Sequence, residues 1–182
     1  MSTKPMTISF READLAADCE RIAAWQNDAR TRPFVTNMRG PDQPDLHVDT
    51  LRQRFTGFTD WICRLLVCID EVPIGFAFAR KDPPMLVSKE GGVAWLAYCI
   101  GEHAYRGRGL SRQILRELEA RALAAGCHRA EVGVFEFNLI SLGLIRAAGY
   151  QEIARHPEFT WYQDRMWADI RFTRNLTESV PQ

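Results

Sequence analysis

Residues 93–100, VAWLAYCI, are apolar on both faces of an extended chain. Residues 110–125 carry Leu110, Ile114, Leu115, Leu118 and Ala122 on one helical stripe, and residues 130–135, AEVGVF, form another short apolar run. A strand apolar on both faces belongs in the middle of a sheet. A stripe at 3.6-residue spacing belongs to a helix packed on that sheet. Gly126 is placed to stop the helix, and Glu117 with Arg121 forms a favourable i,i+4 pair on its other face. A strand, helix and strand in this order close as a right-handed crossover with the strands parallel. This unit constrains the chain most: it requires a mixed α/β fold with a parallel pair near the centre of its sheet.

Between the first strand and the helix lies YRGRGLS, residues 105–111. Glycine is poor inside a helix and adjacent arginines repel, so the turn carries two local costs. A loop that brings its backbone against an anion tolerates both. The first turn of a helix offers free N–H groups and a partial positive charge, and phosphate or pyrophosphate is the natural guest. Two phosphate motifs are excluded. A P-loop needs GxxxxGK[ST], and no Lys lies near. A dinucleotide fingerprint needs a third glycine where Arg112 stands. The competing reading is a tight turn with both arginines solvated.

The chain has 182 residues, is 46% hydrophobic and 25% charged, and has a formal net charge of zero, which suits one globular domain over 1–182. A neutral chain offers no global footprint for nucleic acid or an anionic membrane. Cys19, Cys63, Cys68, Cys99 and Cys127 are odd in number, widely spread and without a CxxC pair, as expected of reduced thiols. His47, His103, His128 and His156 do not stand at ligand spacing, so no metal site is expected. MSTKPMTISF lacks the apolar core of a signal peptide, and a cytoplasmic location is the expectation.

Elsewhere, TISF at 7–10 is an expected strand, and Asp14 an expected N-cap for a helix through LAADCERIAAWQ. A second helix is expected at 48–57, and a hairpin at 63–69 and 74–79 around Asp70-Glu71. A short helix at 139–148 ends at Gly149. Two last strands, within 150–172, flank an aromatic loop, HPEFTWYQDR.

The run IGEHAYRGRGLSRQILRELEARALAAGCHRAEVGVFEFNLISLGLIRAAGY resembles the acyl-CoA-binding core of the GNAT superfamily of N-acetyltransferases. Their pattern is [RQ]xxGx[GA] entering a long helix, then a strand ending near Asn, a short helix and a Gly-aromatic pair. Arg106, Gly109, Asn138, Gly149 and Tyr150 match. TISFREAD, Trp25-Gln26-Asn27-Asp28, EVPIGFAFA and QDRMWADIRF resemble the branch that acetylates protein N-termini, such as those of ribosomal proteins, and small amines. The likeness spans about residues 7–173.

The resemblance implies a central, twisted, mostly antiparallel mixed sheet with a parallel-type βαβ core, flanked by helices. It implies transfer of acetyl from acetyl-CoA, as co-substrate, to a primary amine by direct attack in a ternary complex. The amides of Arg106, Gly107, Arg108, Gly109, Leu110 and Ser111 would hold the coenzyme pyrophosphate. Tyr98, Cys99 and Ile100 would splay from the neighbouring strand and bind the pantetheine arm, and Asn138 would contact the same arm.

Ser111 stands where the pattern has Gly or Ala. Trp95 occupies the place where many relatives carry a Glu base, and Ile145 the place of a Tyr acid. No catalytic residue is therefore assigned. Glu136, Glu102 and Tyr98 lie near the expected site, but solvation or packing explains them as well. Cys99 is read as packing rather than as a nucleophile. Phe159, Trp161, Tyr162 and Trp167 either wall the acceptor site or pack on edge strands. The rival functions are a non-catalytic acyl-CoA-binding or sensing domain and a transferase of another acyl group. A homodimer is left open.

Overall fold

Strand β1 (Ile8–Glu12) and the two long strands β2 (Ile62–Ile69) and β3 (Val72–Lys81) begin the sheet. The computed structural model describes residues 7–56 and 61–177. Residue 57, the last of the expected second helix, lies outside the described residues, as do residues 1–6. Helices α1 (Cys19–Asn27), α2 (Arg32–Val35) and α3 (Val48–Thr56) lie between β1 and β2. After β3 come β4 (Val93–Ile100), a 3-10 turn (His103–Tyr105), α4 (Leu110–Ala124) and β5 (Arg129–Phe135). The chain ends with α5 (Leu139–Ala147), β6 (Gln151–Tyr162) and β7 (Arg165–Asn175).

The seven strands order as β1-β2-β3-β4-β5-β7-β6. Every neighbouring pair is antiparallel except β4 and β5, as the crossover unit requires. That parallel ladder is short: Val93, Ala94 and Trp95 pair with Arg129, Ala130 and Glu131, and the strands then part. The β2–β3 turn is the expected one. Asp70 and Glu71 both have positive φ, the conformation that matches the twist of a two-residue hairpin.

Alternate residues of the sheet feed two cores. On one face Leu96, Val132, Val134, Ile170 and Phe172 pack with Ile114, Leu115 and Leu118 of α4 and Leu142 and Ile145 of α5. On the other, Leu66, Cys68, Phe76 and Cys99 pack with Ile22 and Trp25 of α1 and Leu51 and Phe55 of α3.

Two boundaries differ from expectation. Helix α1 starts at Cys19 rather than near Asp14, because Asp14 Oδ1 caps a separate turn, accepting from Ala16 N at 2.8 Å and Ala17 N at 3.4 Å. Asp18, at the true N-cap, caps nothing with its side chain; its carboxylate takes both arms of Arg11 at 2.8 and 2.9 Å. The aromatic loop is mostly strand. Phe159 to Tyr162 continue β6, whose β-forming side chains outweigh Pro157, and Pro157 sits in a register shift between His156 and Thr160. Only Gln163 and Asp164, both at positive φ, make the turn.

Leu118 is fully buried under the sheet. Leu118→Ala is expected to cost about 2–5 kcal/mol, read as a shift of the urea midpoint. Hydrogen bonding to Arg11 holds the Asp18 carboxyl below its usual range. Its contribution is present above the unfolded carboxyl pKa of about 3.9 and is lost as pH falls through the lower folded value. The Tm difference between wild type and Arg11→Met should therefore hold at pH 5–7 and shrink in more acid buffer.

Candidate functional site

The turn that joins β4 to α4 is built from inside. Arg106 does not project into solvent: its Nε donates to Ile100 O at 2.9 Å and its Nη2 to Thr31 Oγ1 at 2.7 Å. The side chain braces the turn from within. Arg108 is exposed, with its guanidinium 5.5 Å from the Tyr105 ring centre. Gly107 and Gly109 have φ of 72° and 76°, and a Cβ added at either meets nothing within 4 Å. Backbone conformation demands glycine at both places, while the space over them stays open. Among the described residues no side chain caps the start of α4, and its first turn holds no acidic residue. Its amides and the positive end of its dipole face that space, which suits an anion.

Upstream, β4 leaves β5 after Trp95, so Tyr98, Cys99 and Ile100 have no partner strand on that side. Tyr98 lies on the α4 face, with its hydroxyl on the side of Ser111. Burial pushes that hydroxyl up to about 12, which leaves it without a base's role near neutrality. Burial likewise pushes the Cys99 thiol up to about 12, so it is a protonated and poor nucleophile. Asn138 caps α5, its Oδ1 accepting from Ser141 N at 3.2 Å. Ile145 is buried in the core. Glu102 accepts from Trp25 Nε1 at 2.9 Å, and Glu136 pairs with Arg155 at 2.6 Å.

The opposite face of the gap is walled by aromatics. Phe137 stacks on Tyr162 at 4.3 Å and meets Trp167 and Phe34 edge-on at 5.6 and 5.5 Å. Phe34, Phe137, Leu139, Tyr162 and Trp167, with Glu136 and Gln163, line an open cavity of about 350 Å³. The segment after α2 is pinned over it, with Met38 N donating to Thr160 Oγ1 at 3.0 Å and Trp161 N to Met38 O at 2.8 Å. Of the four aromatics singled out in the sequence, Tyr162 and Trp167 line this cavity, while Phe159 lies nearer Phe135, at 6.4 Å.

Two groups were not singled out from the sequence. Asp28, Thr31 and His103 form a knot: His103 Nε2 lies 2.9 Å from Asp28 Oδ1, and Thr31 Oγ1 donates to the same oxygen at 3.2 Å. The His103 ring holds the Asp28 carboxyl below its usual range. Through Thr31 the knot meets Arg106. The second group is Asp169 with Arg171, joined at 2.5 Å on the sheet face opposite α4. Their signal was a period-2 pattern, charges at i and i+2 inside the apolar run MWADIRF.

Thr31→Val keeps the shape but strips the hydroxyl from Arg106 and Asp28. Thr31 is 1% exposed, so this should cost about 1–3 kcal/mol by urea denaturation, with Thr31→Ser recovering most of it.

The model of the acetyltransferase (GNAT) family matches residues 19–150. Among solved structures, the chain is similar to the spermidine N-acetyltransferase from Vibrio cholerae in complex with CoA and spermine, with TM-score 0.74, 14% identity and coverage of 93% of this chain and 96% of that one. A second is the ribosomal-protein-alanine N-acetyltransferase from Brucella melitensis, with TM-score 0.71, 20% identity and coverage of 92% and 99%. A third is yncA from Salmonella typhimurium, solved with its cofactor acetyl-CoA, with TM-score 0.70, 20% identity and coverage of 94% and 95%. These likenesses agree with the fold built above, and the family match spans the crossover unit and the turn. The chain belongs to the GNAT acetyltransferase family.

Proposed function

We propose that this protein transfers acetyl from acetyl-CoA to a primary amine, by direct attack of the amine while both are bound. The observation that carries the reading is the open, glycine-shaped and uncapped start of α4 at the end of a strand that has left its neighbour. In this reading the backbone amides of 106–111 hold the pyrophosphate. The unpaired edge of β4 at Tyr98, Cys99 and Ile100 bonds the amide groups of the pantetheine arm as a strand would, and Asn138 Nδ2 donates to the same arm. The thioester then lies where β4 and β5 converge, and the amine enters from the aromatic side. Positioning of the two reactants supplies much of the rate.

The acceptor side favours a single ammonium on a partly apolar body. Its mouth is aromatic, Arg165 covers Trp167 at 3.4 Å, and Glu136 is already paired with Arg155. Glu136 lines that cavity, and its pairing with Arg155 leaves it little free charge to attract a polycation. The five cysteines are all free and buried, which fits a reducing, cytoplasmic setting. The rival reading, a coenzyme-binding domain without turnover, draws on Trp95 and Ile145 in the usual proton-handling places.

Both readings predict coenzyme binding at α4. Ser111→Asp puts a carboxylate in the first turn, where it favours the helix but repels a pyrophosphate. It should weaken CoA binding about tenfold or more by calorimetry without lowering Tm. Unchanged affinity would refute the cradle. Release of CoA thiol from acetyl-CoA with a panel of primary amines separates the transferase from the silent domain.

A further inference from the structure

Acetyl transfer to an alkylamine needs a group that removes a proton from the ammonium, since the protonated amine has no lone pair to attack with. Trp95 and Ile145 supply none. The inference below rests on the acetyl-transfer reading and concerns the floor of its acceptor side.

Odd-numbered residues of β5 and β7 face that side. Among them Asp169 is 3% exposed and Arg171 7% exposed. Arg171 Nε donates to Asp169 Oδ2 at 2.5 Å, and its guanidinium lies 4.7 Å from the Trp95 ring centre. Asp169 Oδ1 reaches toward β5: a Cβ built on Gly133 would lie 2.9 Å from this oxygen and 2.8 Å from the tip of the Trp95 ring. Gly133 is two residues past Glu131, the last β5 residue paired with β4. The carboxylate thus overhangs the point where the strands part. A pantetheine arm anchored at 106–111 and laid back along β4 ends there, while the amine arrives on the carboxylate's side.

Glu131, on the same face of β5, is occupied by Val87 N at 2.9 Å and Ser88 N at 2.8 Å. His156 stands opposite Asp169 in the β6–β7 register. Burial pushes the Asp169 carboxyl above its usual range, opposed by Arg171 and His156. A carboxylate shifted in that direction is a better base near neutral pH. Arg171 also reaches the Met85 carbonyl at 3.4 Å, but the buried ion pair itself gains little net stability.

We infer that Asp169 is the base that deprotonates the acceptor ammonium, directly or through one water, and that Arg171, seated on Trp95, is the residue that positions it. The ammonium gives one proton to Asp169, and the freed lone pair forms the C–N bond at the thioester carbonyl. The C–S bond breaks, the departing thiolate takes the second nitrogen proton to become CoA thiol, and Asp169 returns its proton to water.

The test compares wild type and Asp169→Asn at pH 7 on two acceptors: the primary alkylamine that the wild type acetylates best, and an arylamine, which is already neutral. The variant should lose about 100-fold or more in kcat/KM on the alkylamine, change little on the arylamine, and bind acetyl-CoA as wild type does. No loss on the alkylamine, or an equal loss on both, overturns the assignment while leaving the transferase reading intact. Failure of the wild type to acetylate any amine overturns both. Should Asp169→Asn not fold, Arg171→Gln carries the test: the acid limb of kcat/KM on the alkylamine should move to higher pH, and an unmoved limb overturns the assignment.

Discussion

Three residue pairs hold β4 to β5, and the rest of the molecule is arranged around that short ladder. A parallel pair needs a crossover connection, and α4 supplies it while covering the sheet with Ile114, Leu115 and Leu118. Because the ladder stops at Trp95 and Glu131, both strands run on with one unpaired edge, a state that a sheet normally avoids. The antiparallel strands on either side, β3 against β4 and β7 against β5, keep each half rigid, so the gap is held open rather than collapsed. The same crossover delivers the first turn of α4 to the open end of the gap. A backbone-lined slot and an anion-facing helix start are thus two outcomes of one topological choice.

The two faces of the sheet meet this gap differently. The α4 face is almost wholly apolar. On the other face Glu131, Asp169, Arg171 and Thr173 are buried in the sheet itself. Glu131 and Arg171 reach the segment between β3 and β4, through the amides of Val87 and Ser88 and the carbonyl of Met85 at 3.4 Å. Charged side chains therefore fasten a long connection down onto this face of the sheet, where an apolar floor would leave its backbone groups unpaired.

The sequence made the crossover unit legible because every local signal agreed. Apolar runs of strand length, one helical stripe, and a glycine at 126 that adopts positive φ all pointed to the same elements. Asp14 misled because a turn cap and a helix cap share one chemistry, and only the Arg11 contact shows that the helix begins at Cys19. Pro157 suggested a loop, yet a bulge absorbs it within a strand whose aromatic side chains find partners across the hairpin. The turn 105–111 was legible as backbone geometry, whereas the inward course of Arg106 was not: its partner Thr31 is seventy-five residues away. Asp169 and Arg171 were hidden for a similar reason. Their meaning depends on Gly133 and Trp95, brought beside them by strand order rather than by spacing.

The brace from Arg106 to Thr31 carries a thermodynamic corollary. Thr31 immediately precedes α2, whose Phe34 rests on Phe137 and Tyr162, so the turn before α4 and the aromatic roof share a buried hydrogen-bonded joint. An occupant that tightens the turn also restrains the roof, and linkage requires the coupling to run equally in reverse. Under the proposed function, with one reactant at the turn and the other at the aromatic wall, the affinity for each would depend on the presence of the other.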